Sequence, residues 1–169
     1  AYLTHRYWGE KLPTYHGSNA LQMVDRAFAT NPFPEERTFS LNALPLETST
    51  QGNGDHRVAN YQIRNSKNHT VTNFLYDSYQ IKKGKEAIPG LPSLRATTDD
   101  AETLEIVLKD TIQQLEMRLI YTLFENYPMI TRRVVYTNNG SQTVALEKAG
   151  SMLLDLSDCE FDLLTLDGS

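Results

Sequence analysis

Between Thr50 and Val58 the chain concentrates residue types that could do chemistry: Gly52-Asn53-Gly54-Asp55-His56-Arg57 sets an acid, an imidazole and a guanidinium directly beside two glycines. A carboxylate accepts hydrogen bonds from hydroxyls, and a guanidinium offers a planar fork of donors that can hold such a carboxylate in place. Glycine lets the backbone turn at positive φ or come close to a ligand. The flanks, Thr48-Ser49-Thr50 and the strand-like Val58-Ala59-Asn60-Tyr61-Gln62-Ile63, make this a loop expected to carry three polar heads outward. Loops of this kind contact sugars, anions or partner subunits. Gly, Asn and Asp also dominate ordinary turns, so a purely structural reading of the same residues stays open.

The remaining catalytic inventory is thin. His5, His16, His56 and His69 fall into no HExxH or other metal spacing, so neither a metal nor a cofactor is expected. No nucleophile elbow or P-loop is present, and Gly52-Asn53-Gly54 lacks the third glycine and the helix of a dinucleotide motif. The pairs Glu35-Glu36 and Asp99-Asp100 read as solvated turn charges, because neighbouring side chains on a strand face opposite ways. Tyr2, Tyr7 and Trp8 could stack on a sugar ring, but alternating aromatics in a strand pack more readily into a core.

Sixteen basic against twenty-one acidic residues give a net charge of −5, and the basic residues are scattered apart from Lys82-Lys83-Gly84-Lys85. No stripe neutralises a phosphate backbone, so nucleic acid is not an expected partner. The single cysteine, Cys159, makes no intrachain disulfide and has no metal-ligand spacing, which fits a reducing, cytoplasmic setting. No apolar run approaches the ~20 residues that span a bilayer, and no membrane partner is expected. The sequons at Asn68 and Asn139 would matter only in a secreted eukaryotic protein. With 169 residues and 40% hydrophobic content the chain can bury one core. It starts at Ala1 in strand-like sequence and stops at Ser169 just after an apolar run, which reads as a fragment of a longer protein.

The elements that must position the loop are strands. Leu104, Ile106 and Leu108 alternate with Thr103, Glu105 and Val107; Leu115 to Leu123 and Ile130 to Tyr136 continue the period of two. A helical period can be traced over Thr98 to Ile112, but the alternation through Leu108 favours strand. Asn126-Tyr127-Pro128 separates the second and third strands. After the third, Asn138-Asn139-Gly140-Ser141 predicts a type I′ hairpin turn from which Thr143 to Lys148 returns. Tyr2 to Trp8, Ser151 to Leu156 and Glu160 to Leu166 predict further strands, Pro89-Gly90-Leu91-Pro92 a rigid turn, and Ala20 to Ala29 a helical turn or two. The whole reads as an all-β antiparallel sandwich built as a meander.

Nine blocks, in order and across nearly the whole chain, resemble the N-terminal β-sandwich domain of bacterial family 36 α-galactosidases. They are Trp8-Gly9-Glu10-Lys11-Leu12-Pro13, Asn31-Pro32-Phe33-Pro34, Thr38-Phe39-Ser40-Leu41, Gly54-Asp55-His56-Arg57, Gly84-Lys85, Gly90-Leu91-Pro92, Glu102-Thr103-Leu104-Glu105-Ile106, Tyr121-Thr122-Leu123-Phe124-Glu125 and Leu146-Glu147-Lys148-Ala149. The resemblance implies a partial supersandwich-type domain over residues 1–169, with the catalytic (β/α)8 barrel and a C-terminal domain outside the chain. It implies retaining hydrolysis of terminal α-1,6-linked galactose, as in melibiose and raffinose, by two barrel aspartates ~5–5.5 Å apart. Both lie outside this sequence, so the chain holds no catalytic residue. In tetrameric family members a Gly-Asp-aromatic-Arg segment reaches a neighbouring subunit's substrate pocket, which makes Asp55 and Arg57 the implied substrate-binding residues. His56 stands where the family carries another aromatic, so a stacking role there does not carry over. A free-standing carbohydrate-binding or structural β-sandwich module is the alternative.

Overall fold

The computed structural model of the chain describes residues 1–9, 11–14, 33, 35–36, 39–155, 160 and 162. Among the described residues six strands form: β1 (Tyr61–Arg64), β2 (Leu75–Lys83), β3 (Ala101–Asp110), β4 (Leu115–Phe124), β5 (Tyr127–Asn138) and β6 (Ala145–Ala149). Four of them make one antiparallel sheet in the order β2-β3-β4-β5, and β1 pairs with β6 in a second, two-stranded sheet. The expected strands through 104–108, 115–123 and 130–136 are therefore present, and the helical reading of 98–112 is not.

Alternation fixes which face is buried. On β4, Leu115, Met117, Leu119 and Tyr121 point to one side and are almost wholly buried, with Leu108 of β3 beside them. The two-stranded sheet lays Tyr61 and Ile63 over this surface, and Phe74 closes it, with Tyr61 and Phe74 meeting edge to face at 5.6 Å between ring centroids. Two faces packed around one apolar layer is the sandwich arrangement. At ~1.5–3 kcal/mol per fully buried large apolar side chain, this cluster supplies the main drive to fold. Pro128 fits in β5 because β5 is an edge strand, where a missing N–H breaks no ladder bond.

Several expected elements differ. β2 was not foreseen: it is an edge strand, exposed along nearly its whole length, with a register shift between Tyr76 and Ser78 that breaks its alternation. The hairpin at Asn139-Gly140 does not form, because β6 pairs with β1 instead of returning along β5. No positive φ occurs at either residue. The chain crosses to the other sheet, with Asn138 Oδ1 accepting from Gly140 N at 3.0 Å and its amide donating to Gln142 O at 2.8 Å. Residues 2–8 make one isolated bridge, Thr4 to Leu46, rather than a strand, and 151–155 form none. The expected turn at 89–92 is present, with Leu91 N donating to Ile88 O and Gly90 at φ 74°. The helical turn over 20–29, the apolar run 163–166 and Cys159 lie outside the described residues.

Candidate functional site

The type I′ signature missing at Gly140 appears instead inside the loop singled out above. Asp55 N donates to Gly52 O at 3.1 Å, and the two central residues, Asn53 and Gly54, have φ of 55° and 82°. Asn-Gly with both central φ positive is what a type I′ turn requires. Gly52 itself sits at φ 109°, where a Cβ would press on the Val71 methyls at 3.3 Å. Asn53 Nδ2 adds a bond to Thr72 O at 3.4 Å.

The turn sends its charged side chains inward, contrary to the outward display expected from composition. The Asp55 side chain is 3% exposed and that of Arg57 14%; only His56 faces solvent. Asp55 Oδ1 accepts from Arg57 Nε at 2.9 Å and from Arg57 N at 3.3 Å. Arg57 Nη2 donates to two carbonyls of the 3-10 segment Leu41–Ala43 and its cap, Leu41 O at 2.7 Å and Leu44 O at 2.6 Å. Arg57 Nη1 donates to Asp155 Oδ2 at 2.8 Å. One guanidinium thus ties together segments near positions 41, 55 and 155. Asp55 Oδ2 is shut off from solvent and, among the described residues, accepts no hydrogen bond.

Asp155 joins this cluster to a second. Its backbone carbonyl lies 2.7 Å from His5 Nε2, while His5 Nδ1 lies 3.6 Å from Glu47 Oε1. Tyr121 donates its hydroxyl to Glu47 Oε2 at 2.5 Å, and Arg132 Nε donates to the Tyr121 oxygen at 3.0 Å. Arg132 also donates through Nη2 to Glu47 O at 2.9 Å and through Nη1 to Ser151 O, and its guanidinium carbon stands 5.3 Å from the Tyr121 ring centre. Burial, then the neighbouring Glu47 carboxylate, pushes the Tyr121 phenol far above its ordinary range. Sequence reasoning missed this network: His5, Glu47, Tyr121 and Arg132 share no spacing, and only Tyr121, inside a resemblance block, carried any signal.

An apolar groove of about 490 Å³ opens beside the network, lined by Trp8, Leu104, Ile106, Tyr121, Leu123 and Ile130 among others. Trp8 tilts against Tyr121 at 6.1 Å and against His5 at 6.5 Å between ring centres. Of the three aromatics considered for stacking, Trp8 packs on the core, Tyr2 stacks on Phe39, and Tyr7 is exposed. Among the described residues no group of three or more His, Cys, Asp or Glu side chains is placed to hold a metal.

The model of the glycosyl hydrolase family 36 N-terminal domain matches residues 1–169. This chain belongs to that family. It is 40% identical over 169 residues to the alpha-galactosidase AgaA of Geobacillus stearothermophilus, covering 99% of this chain and 23% of that protein. The identity is also 40% to the bifunctional alpha-galactosidase/sucrose kinase AgaSK of Mediterraneibacter gnavus, of which 18% is covered. The crystal structure of AgaA superposes with a TM-score of 0.85 at 41% identity, over 89% of this chain and 21% of that one. A variant of AgaA solved in complex with raffinose gives 0.84. The family 36 domain thus spans about a fifth of the relatives it matches, and the antiparallel sandwich read from its alternation is the fold they share.

Proposed function

We propose that this chain is the non-catalytic N-terminal domain of a retaining α-galactosidase acting on terminal α-1,6-galactosides such as melibiose and raffinose. The observation that carries the reading is the family match across all 169 residues together with 40% identity to AgaA. The two carboxylates of a retaining mechanism belong to a barrel that follows this domain, so residues 1–169 alone are inactive. The domain's work is assembly of a homo-oligomer, a tetramer, and completion of a neighbouring subunit's galactoside pocket. The enzyme acts in the cytoplasm, a reading supported by the single cysteine.

Asp55 and Arg57 are the residues we assign to that pocket. Arg57 fixes one carboxylate oxygen of Asp55 and leaves Oδ2 as a buried acceptor without a hydrogen-bond partner among the described residues. A sugar hydroxyl that reaches Oδ2 fills a position whose emptiness is costly in a buried site. Reaching it requires the Asn53-Gly54 turn to shift when subunits dock, and the two glycines at 52 and 54 supply the backbone freedom. The test is activity toward a chromogenic α-galactoside. The full-length protein should turn it over and residues 1–169 should not; turnover by the short chain, abolished by a substitution within it, would overturn the assignment.

A further inference from the structure

On the face of the four-stranded sheet that points away from the core lies a second cavity of about 250 Å³. Its floor is Thr103 and Glu105 of β3, Ile120 and Thr122 of β4, and Thr131 and Arg133 of β5, which lie in register across the strands. Its wall is the arm from Gly84 to Thr97 that links β2 to β3. Gly84 roots the arm at φ 78°, where a Cβ would come within 3.1 Å of Thr97 O, and Lys85 and Ala96 bridge just beyond it. The arm's tip is fixed by Ile88 N donating to Ser93 Oγ at 2.9 Å. This is a built enclosure on the polar side of a sheet, and it explains why Ile120 and Thr122 are buried although they alternate with the core-facing residues.

Cations outnumber anions on its lining: Lys82, Lys83, Lys85, Arg132 and Arg133 against Glu86 and Glu105. Glu105 is matched by Arg118 at 3.5 Å, Lys82 at 3.8 Å and the Gln80 amide at 3.1 Å. Lys85 donates to a neutral carbonyl, Leu94 O, at 2.9 Å, and among the described residues neither Lys85 nor Arg133 has an ion pair. The two cations instead oppose each other: burial and then the charge of Arg133 lower the Lys85 pKa. Two cations lining one partly enclosed cavity favour an anion between them. The cavity exceeds the ~30 Å³ share of one water and falls just below the ~300 Å³ at which drug-sized ligand pockets begin, which selects a small polar molecule. The Thr131 hydroxyl and the apolar Ile88, Pro92 and Leu94 of the arm suit a ring with hydroxyl edges rather than a bare ion.

We propose that this cavity binds a small phosphorylated metabolite of hexose phosphate size, its phosphate held between Lys85 and Arg133. The reading is independent of the α-galactosidase assignment, since it uses the opposite face of the sheet from Tyr121 and Glu47. Isothermal titration of the protein with glucose 6-phosphate, inorganic phosphate and glucose tests it. Glucose 6-phosphate should bind more tightly than inorganic phosphate, glucose should give no signal, and affinity should fall as salt rises. Lys85→Met and Arg133→Gln, with folding checked by circular dichroism, should each weaken glucose 6-phosphate by about tenfold or more. Binding of glucose equal to that of its phosphate, inorganic phosphate bound as tightly as the sugar phosphate, affinity indifferent to salt, or folded variants that bind like the parent would each overturn the proposal. If a variant does not fold, the salt dependence and the neutral-sugar comparison still decide.

Discussion

Replacing Arg57 by alanine removes the guanidinium that holds four groups: Asp55 Oδ1, Asp155 Oδ2, Leu41 O and Leu44 O. The contributions are unequal. The bond to Asp155, whose side chain is 52% exposed, is screened by water and adds no more than ~1 kcal/mol. The two carbonyls and the Asp55 carboxylate are different, because Asp55 is 3% exposed and, among the described residues, would keep one 3.3 Å backbone N–H as its only partner. Breaking a buried pair by removing one member costs about 3–5 kcal/mol, chiefly from the charge left behind. Arg57→Ala should therefore lose about 3–5 kcal/mol, or roughly 6–20 °C of melting temperature in a protein of this size. The assay is thermal unfolding by circular dichroism, with Asp55→Asn and the double variant alongside. Because the loss comes from an orphaned carboxylate, Asp55→Asn in the Arg57→Ala background should restore about 1 kcal/mol or more. A loss under about 1 kcal/mol for Arg57→Ala, or a double variant whose losses simply add, would refute the view that these two side chains act as one buried unit.

Other outcomes follow from the same packing. Gly84→Ala should destabilise by about 1–3 kcal/mol, because φ 78° strains a side chain and the Thr97 carbonyl occupies the space; chemical denaturation reads it, and a neutral result would mean the arm's root is not fixed as described. Tyr121→Phe removes the hydroxyl that bridges Glu47 and Arg132 and leaves the buried Glu47 carboxylate short of a partner, so a loss of about 1–3 kcal/mol is expected in unfolding experiments. Tyr2 and Tyr136 are pushed up to about 12 by burial, and Tyr61 and Tyr121 also lie above the ordinary value of 10.0. A folded pKa raised above the unfolded one gives stability that is complete below pH 10 and lost above it, so the melting temperature should fall steeply from there. Phenolate absorbance rising fully near pH 10 without unfolding would contradict the burial of these rings.

Period-two alternation made the sheet β3-β4-β5 legible, because one face of each strand meets the Tyr61, Ile63 and Phe74 layer and so must be apolar. β2 escaped notice for the converse reason: at an exposed edge, with a shifted register, its residues answer to no buried face. The chain carries two Asn-Gly pairs, and local sequence cannot choose between them. Asn53-Gly54 became the type I′ turn, while at Asn139-Gly140 the partnership of β6 with β1 took precedence over local hairpin closure. The Gly52 to Arg57 loop was visible as a loop, but the direction of its side chains was not. Arg57 turns inward because Leu41 O and Leu44 O lie beneath it, 16 and 13 residues away, and Asp155 lies 98 residues away. Long-range partners of that kind also assembled Glu47, Tyr121 and Arg132.

Asp55, as proposed, serves a galactoside pocket as well as anchoring its own turn. Alanine confuses the two roles, since it orphans Arg57. Asn is the sharper change: it keeps the shape and can still accept from Arg57 Nε, but it removes the charge from Oδ2. The decisive measurement is kcat/KM of the full-length protein on an α-galactoside with and without Asp55→Asn, at a temperature well below the melting point of both. Loss of a charge-assisted hydrogen bond worth ~1.5–3 kcal/mol predicts a fall of about tenfold to a hundredfold while the protein stays folded and assembled. Unchanged kcat/KM in a folded, assembled Asp55→Asn protein would contradict the account and leave the loop a structural turn.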